Sequence, residues 1–142
     1  MSESDDRRKI SGIADIEAVE AGPYEETVPF TSVYDLFVQS AERFGSRPAI
    51  HYLLEGTADS AVERVTYADL LIRIRQAANL FRSLGVGEGD AVAFLMPNVP
   101  ETHYALWGAE VAARACPINY MLRTDHIVEL LRAARVKVLV GL

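Results

Sequence analysis

Six consecutive apolar residues, Ala91 to Met96, run through the stretch DAVAFLMP. A strand that meets water on one side alternates apolar and polar side chains, so a run without alternation has to be covered on both faces. The neighbouring segments supply the cover. TYADLLIRIRQAANLFRSLG places Leu70, Ile74, Ala77 or Ala78, Phe81 and Leu84 in one helical stripe, opened by Thr66 and Asp69 and closed by Gly85. NVPETHYALWGAEVAARA follows as a helix, with Asn98 and Glu101 at capping-box spacing. CPINY is a short strand, TDHIVELLRAAR a helix with Ile127, Leu130, Leu131 and Ala134 on one side, and VKVLVGL a last strand. Helix and strand thus alternate three times from Thr66 onward, which predicts an α/β fold: a mostly parallel, doubly wound sheet with flanking helices.

Upstream, TSVYDLFVQSAERFG predicts a helix with Val33, Leu36, Phe37, Ala41 and Phe44 on one face, Ser32 and Asp35 at its start and Gly45 as its stop. PAIHYLLEG and AVERVTY are β-type runs about the polar turn EGTADS, which predicts a small hairpin. Residues 1–29 are polar and aperiodic, a mobile leader ahead of a domain spanning residues 30–142. Residues 1–30 hold eight acidic side chains against three basic ones, a net of −5 out of the chain's −6. The folded part is therefore near neutral, with no basic face to neutralise nucleic-acid phosphates.

Gly85, Gly87 and Gly89 look like a phosphate cradle, but they follow a helix and precede a strand. A phosphate loop runs from strand to helix, so that the first amides and positive end of the helix face the anion. The three glycines predict a turn. Cys116 is the only cysteine, which rules out an intrachain disulfide and predicts a buried, inert thiol in a reducing, cytoplasmic compartment. His51, His103 and His126 are not spaced as metal ligands. Glu110, within WGAEVAA, either reaches the helix edge or pairs with Arg114. The N-terminus lacks the apolar segment of a secretory signal, and no apolar run is long enough to span a bilayer.

Taken in order, these motifs have a family likeness. The Thr-Tyr-started helix, GVGEGDAV, the strand ending in Pro97-Asn98, the Ala/Gly-rich helix, Pro117-Ile118-Asn119 and the helix leading to KVLV resemble the N-terminal part of the adenylate-forming enzymes, acyl-CoA synthetases in particular. The likeness covers Thr66 to Val140 and extends back through VYDLFVQSAERFGSRPAI. Tyr120 stands where a second proline is usual and Arg135 where glycine is usual, both at turn positions.

The resemblance implies the first subdomain of an enzyme that uses ATP, Mg2+ and coenzyme A to convert a carboxylic acid, through an acyl-adenylate, into its CoA thioester. It implies no catalytic and no metal-binding residue within these 142 positions. The family's Ser/Thr/Gly-rich phosphate loop, aromatic-Gly-x-Thr-Glu segment, ribose-binding aspartate and catalytic lysine have no match here. Lys9 and Lys137 are the only lysines, and neither is placed to neutralise a phosphate. The chain is thus expected to be the first portion of a longer enzyme, inactive by itself, bound to the rest of its polypeptide and prone to self-association alone. Arg123 is the one cofactor-binding candidate, as a contact for a CoA phosphate at the pocket entrance; a solvated cation at a helix start is its alternative. A stand-alone α/β binding or interaction module without catalysis is the competing reading of the whole, and a stop codon near Leu142 would favour it.

Overall fold

The computed structural model describes residues 10–57 and 59–142, and the chain divides into two compact units that part between Val33 and Tyr34. The first contains α1 (Ile13–Glu20) and the single turn α2 (Tyr24–Thr27). The sequence has no helical period here, and α1 has no buried residue. Its start is made locally: the Asp15 carboxylate accepts the amides of Ser11 at 2.8 Å and Gly12 at 3.1 Å. Residues 1–9 of the expected leader lie outside the described residues.

The second unit holds α3 (Val33–Phe44) from Tyr34 onward, then β1 (Pro48–Leu53), β2 (Val62–Thr66), α4 (Tyr67–Ser83) and β3 (Ala91–Leu95). It ends with α5 (Pro100–Ala112), β4 (Arg114–Pro117), α6 (Thr124–Ala133) and β5 (Val136–Gly141). β1 and β2 form the expected antiparallel hairpin; of the segment EGTADS between them, Ala58 lies outside the described residues. β3, β4 and β5 form a parallel sheet in the order β4-β3-β5. With β4 and β5 on opposite sides of β3, crossovers of the usual right hand lay α5 and α6 on opposite faces.

β3 is buried as its composition requires, with Val92 and Ala93 at 0% exposure. Val92 and Phe94 pack with Phe81 and Val86, which flank the α4–β3 turn, and with Ala109 of α5. A second cluster joins Val65, Leu70 and Ile74, covered by Phe37, Ile50, Tyr104 and Trp107. α4 therefore serves both, and its buried residues are Leu70, Leu71, Ile74, Ala78 and Phe81. Thr66 caps it, its hydroxyl accepting the Asp69 amide at 3.1 Å and donating to the Asp69 carboxylate at 2.7 Å.

Four details differ from the sequence reading. Leu84 is exposed, because the helical stripe stops at Phe81 and Leu84 occupies the cap. Val33 and Leu36 are exposed on α3, whose inner side is set by Phe37 against Trp107, ring centroids 5.2 Å apart, and by Phe44 against Tyr67 at 5.9 Å. Leu130 is exposed on α6, where Ile127, Leu131 and Ala134 are half-buried. β4 begins at Arg114 and ends at Pro117, earlier than CPINY suggested; Ile118 nevertheless donates its amide to Phe94 at 3.0 Å.

α4 and α5 come into close contact at Gly108. A Cβ there would lie 2.5 Å from the Ala77 Cβ, 2.9 Å from the Ala78 amide nitrogen and 3.0 Å from the Ile74 carbonyl oxygen. Two of those neighbours are backbone, so relief requires the helices to separate. Gly108→Ala is therefore expected to lower the unfolding free energy by about 2 kcal/mol, measured as a lower denaturant midpoint at an unchanged m-value.

Candidate functional site

Open α/β sheets take ligands beyond the carboxyl ends of their strands, where the winding reverses. Here the chain leaves β3 towards β4 but returns through α6 to the opposite side of β3, so the reversal lies between β3 and β5. Leu95 pairs with Gly141 at this end of the sheet. Leu95 to Asn98 leave the end of β3, and Gly141 with Leu142 lie at the end of β5 beside it.

The segment after β3 is held by its own backbone. The Pro97 carbonyl accepts the Thr102 hydroxyl at 2.6 Å and the Val99 amide at 3.0 Å. The Asn98–Glu101 capping box does not form: the N-cap is Val99, without a side-chain cap, and buried Pro100 opens the helix. Proline at the first helical position has its φ preset and no amide to satisfy, which moves the start one residue past the expected cap. Glu101 remains in the first turn, where the helix dipole favours an acid.

Asn119 shapes the loop after β4. Its side-chain oxygen accepts the Met121 amide at 2.9 Å and its carbonyl accepts the Leu122 amide at 3.2 Å. Tyr120, at the position where proline is usual, points outward at 58% exposure in a turn that Asn119 closes without it. Arg135, at the other departure, has φ +52°, the left-handed conformation that glycine adopts without strain.

Arg123 precedes α6 and is held along one edge of its guanidinium by Asp125, Nε to Oδ1 at 3.1 Å and Nη2 to Oδ2 at 3.0 Å. That bond is the main reason the Asp125 carboxyl is held below its ordinary range. Both side chains remain largely exposed. Lys137 lies at the opposite end of the sheet, where its ammonium donates to the Gly85 carbonyl and to Asp90 Oδ2. Lys9 lies outside the described residues. The described residues at the carboxyl edge thus include no lysine.

The glycine turn sits at the trailing end of β3. Gly85 and Gly89 have φ of +81° and +85°. Gly85 donates to the Arg82 carbonyl at 2.9 Å and Val86 to the Phe81 carbonyl at 3.0 Å, the double bond of a Schellman close. The helix therefore presents its negative end to this turn, as the order of elements in the sequence predicts. An open depression of about 600 Å3, lined by residues including Glu88, Glu110 and Arg114, lies at this trailing end, away from the carboxyl ends of the strands.

Glu110 does not take Arg114 as its partner. Its carboxylate accepts the Ala115 amide at 3.1 Å, while Arg114 donates to the Gly89 and Asp90 carbonyls. Cys116 is half-buried in β4 beside Ala93, not fully buried as expected. His51 and His126 are exposed and His103 half-buried. Among the described residues, no three His, Cys, Asp or Glu side chains are grouped to hold a metal ion, and no helix is long and apolar enough to cross a membrane.

The sequence reading missed Asp90. Its bond to the Gly87 amide, 2.9 Å and three residues away, has a local signal in GEGD. Lys137 is 47 positions distant, and nothing local pairs the two.

This chain belongs to the AMP-binding enzyme family, whose model matches residues 37–141. Among its relatives, a marinolic acid–CoA ligase of Pseudoalteromonas is 36% identical over 137 residues, covering 96% of this chain and 21% of that protein. A crotonobetaine/carnitine–CoA ligase of Salmonella paratyphi A is 35% identical over 101 residues, 70% of this chain and 19% of the relative. The fold is also that of the N-terminal domain of FACL13 from Mycobacterium tuberculosis, with a TM-score of 0.65 at 27% identity over 79% of this chain and 27% of that structure. The chain spans about a fifth of the length of these curated relatives.

The glycine turn has a pH signature. The Gly87 amide, then the Lys137 ammonium, hold the Asp90 carboxyl below its ordinary value. A depressed carboxylate contributes stability above the unfolded value of about 4 and loses it as pH falls through the lower folded value. The chain should therefore lose stability below about pH 4, and Asp90→Asn should remove part of that dependence while lowering stability at neutral pH. Thermal melts of both chains from neutral to acid pH measure the difference.

Proposed function

We propose that this chain is the N-terminal portion of an AMP-forming acid–thiol ligase. Such an enzyme joins a carboxylic acid to the α-phosphate of ATP with release of pyrophosphate, then passes the acyl group to the thiol of CoA with release of AMP. The observation that carries the reading is the family match across residues 37–141. The names of the relatives, from acetyl-coenzyme A synthetase to long-chain-fatty-acid–CoA ligase, support a carboxylic acid as the substrate class.

In this reading the chain contributes framework. Leu95–Asn98 and Gly141 with Leu142 lie at the ligand-bearing end. The residues present do not fit ATP or Mg2+ by themselves, because the edge has neither a glycine-rich strand-to-helix turn nor a lysine among the described residues. Polypeptide beyond residue 142 would hold the nucleotide, the metal and most of CoA. The exposed margin of Leu130, Leu139 and Leu142, at 44, 49 and 88% exposure, is surface for such polypeptide to cover. A cytoplasmic setting belongs to the same proposal and is supported by the single free thiol.

The test uses a polypeptide that continues this sequence to the length of its relatives. Across a panel of carboxylic acids, it is expected to exchange labelled pyrophosphate into ATP with at least one acid and to form that acid's CoA thioester. The 142-residue chain alone should do neither. No exchange with any acid, or turnover by the short chain, overturns the reading.

The proposal includes Arg123 as a contact for a CoA phosphate. Its exposure leaves the guanidinium reachable, and an incoming phosphate would compete with Asp125 for it. Arg123→Glu in the longer polypeptide should raise the KM for CoA about tenfold with the KM for ATP unchanged. An unchanged KM for CoA removes Arg123 from the site.

A further inference from the structure

β5 does not pair with β3 in a continuous register. Ala91 stands beside Val136 and Val92 beside Val138, so Lys137 is an extra residue on the β5 side. The insertion decides which side chains enter the core. With it, Val138 and Val140 stand beside Val92 and Phe94 and pack with them. Without it, continuing from the Ala91–Val136 pair would place Lys137 and Leu139 on that face and turn Val138 and Val140 away.

The extra residue is anchored. Its ammonium donates to the Gly85 carbonyl and, at 3.0 Å, to Asp90 Oδ2, and the same carboxylate oxygen accepts the Gly87 amide at 2.9 Å. One carboxylate thus ties the turn that feeds β3 to the bulge that starts β5. Arg135, at φ +52°, sets the chain's entry two residues earlier.

We propose that Lys137 and Asp90 are positioning residues that select the register of β5 on β3. A change of one residue moves a strand by about 3.3 Å along its axis. The clasp at the trailing end would therefore determine where Gly141 arrives beside Leu95 at the other end. The consequence for ligand binding rests on the function proposed above; the register assignment does not.

The test is amide hydrogen exchange and interstrand nuclear Overhauser contacts in the 142-residue chain and its variants. Lys137→Met removes the clasp and also the penalty for turning this residue inward, so it frees the strand to slip. It should speed exchange of β5 amides about tenfold, leave the α4 amides around Ile74 and Ala78 unchanged, and weaken the Val92–Val138 contacts in favour of Val92 with residue 137. Lys137→Arg should keep the native pattern. Unchanged β5 exchange and contacts would overturn the proposal, and so would a uniform speeding of α4 and β5, the mark of a general loss of stability. If Lys137→Met does not fold, Asp90→Asn is read by the Val92–Val138 contacts and by the speeding of β5 exchange in excess of α4, because it removes the ion pair and leaves the Gly85 acceptor in place while its general loss of stability speeds both elements alike. Activity is not the readout, so failure of the enzyme assignment would leave this result standing.

Discussion

β3 is bonded to β4 along one edge and to β5 along the other, and its side chains from Ala91 to Phe94 are shielded from water. Such a strand cannot exist at the margin of a fold. It requires a parallel neighbour on each side, and each crossover must return over a face of the sheet. α5 and α6 are those returns, and α4 completes the layer over Val92 and Phe94. The small side chain of Ala109 and the bare backbone of Gly108 then let α5 seat closely against that layer. Dispersion and apolar burial concentrated in this strip form the larger of the two core clusters, and α4 links it to the one around Val65, Leu70 and Ile74.

The features that local sequence determines were legible before the structure. Period and length marked each of the main helices and strands, and the direction from helix into strand identified the glycines as a turn. Thr66 and Asp69 announced the start of α4 because both members of the cap lie within three residues. Errors arose where a neighbour distant in sequence decided the outcome. Leu36 and Leu130 fit their helical stripes by spacing, but which part of an apolar stripe is covered depends on the partner surface. At Asn98, two local signals competed, and proline at position 100 prevailed over the capping pattern.

The candidate site was legible as a location more than as a set of residues. Parallel strands follow from the alternation of elements and the ligand-bearing edge from their common direction, whereas the order β4-β3-β5 does not follow from either. Arg123 was visible as a cation near that edge, but its grip on Asp125 is a matter of rotamers, which spacing does not specify. The Asp90–Lys137 clasp crosses from one strand to another, and no period in the sequence links them.

The bond between Glu110 and the Ala115 amide occupies a donor on the outer side of β4. Arg114 and Ile118 donate their amides towards β3, to Asp90 and Phe94, so the intervening amides at 115 and 117 face away from it. Of those two, one is occupied by the Glu110 carboxylate and the other belongs to a proline, which has no hydrogen to give. β4 therefore offers a newcomer no free donor at either position, although among the described residues β4 and β5 each have a neighbouring strand on one side only. A carboxylate and a proline thus act as a selvedge along the outer side of β4, closing its two outward donor positions.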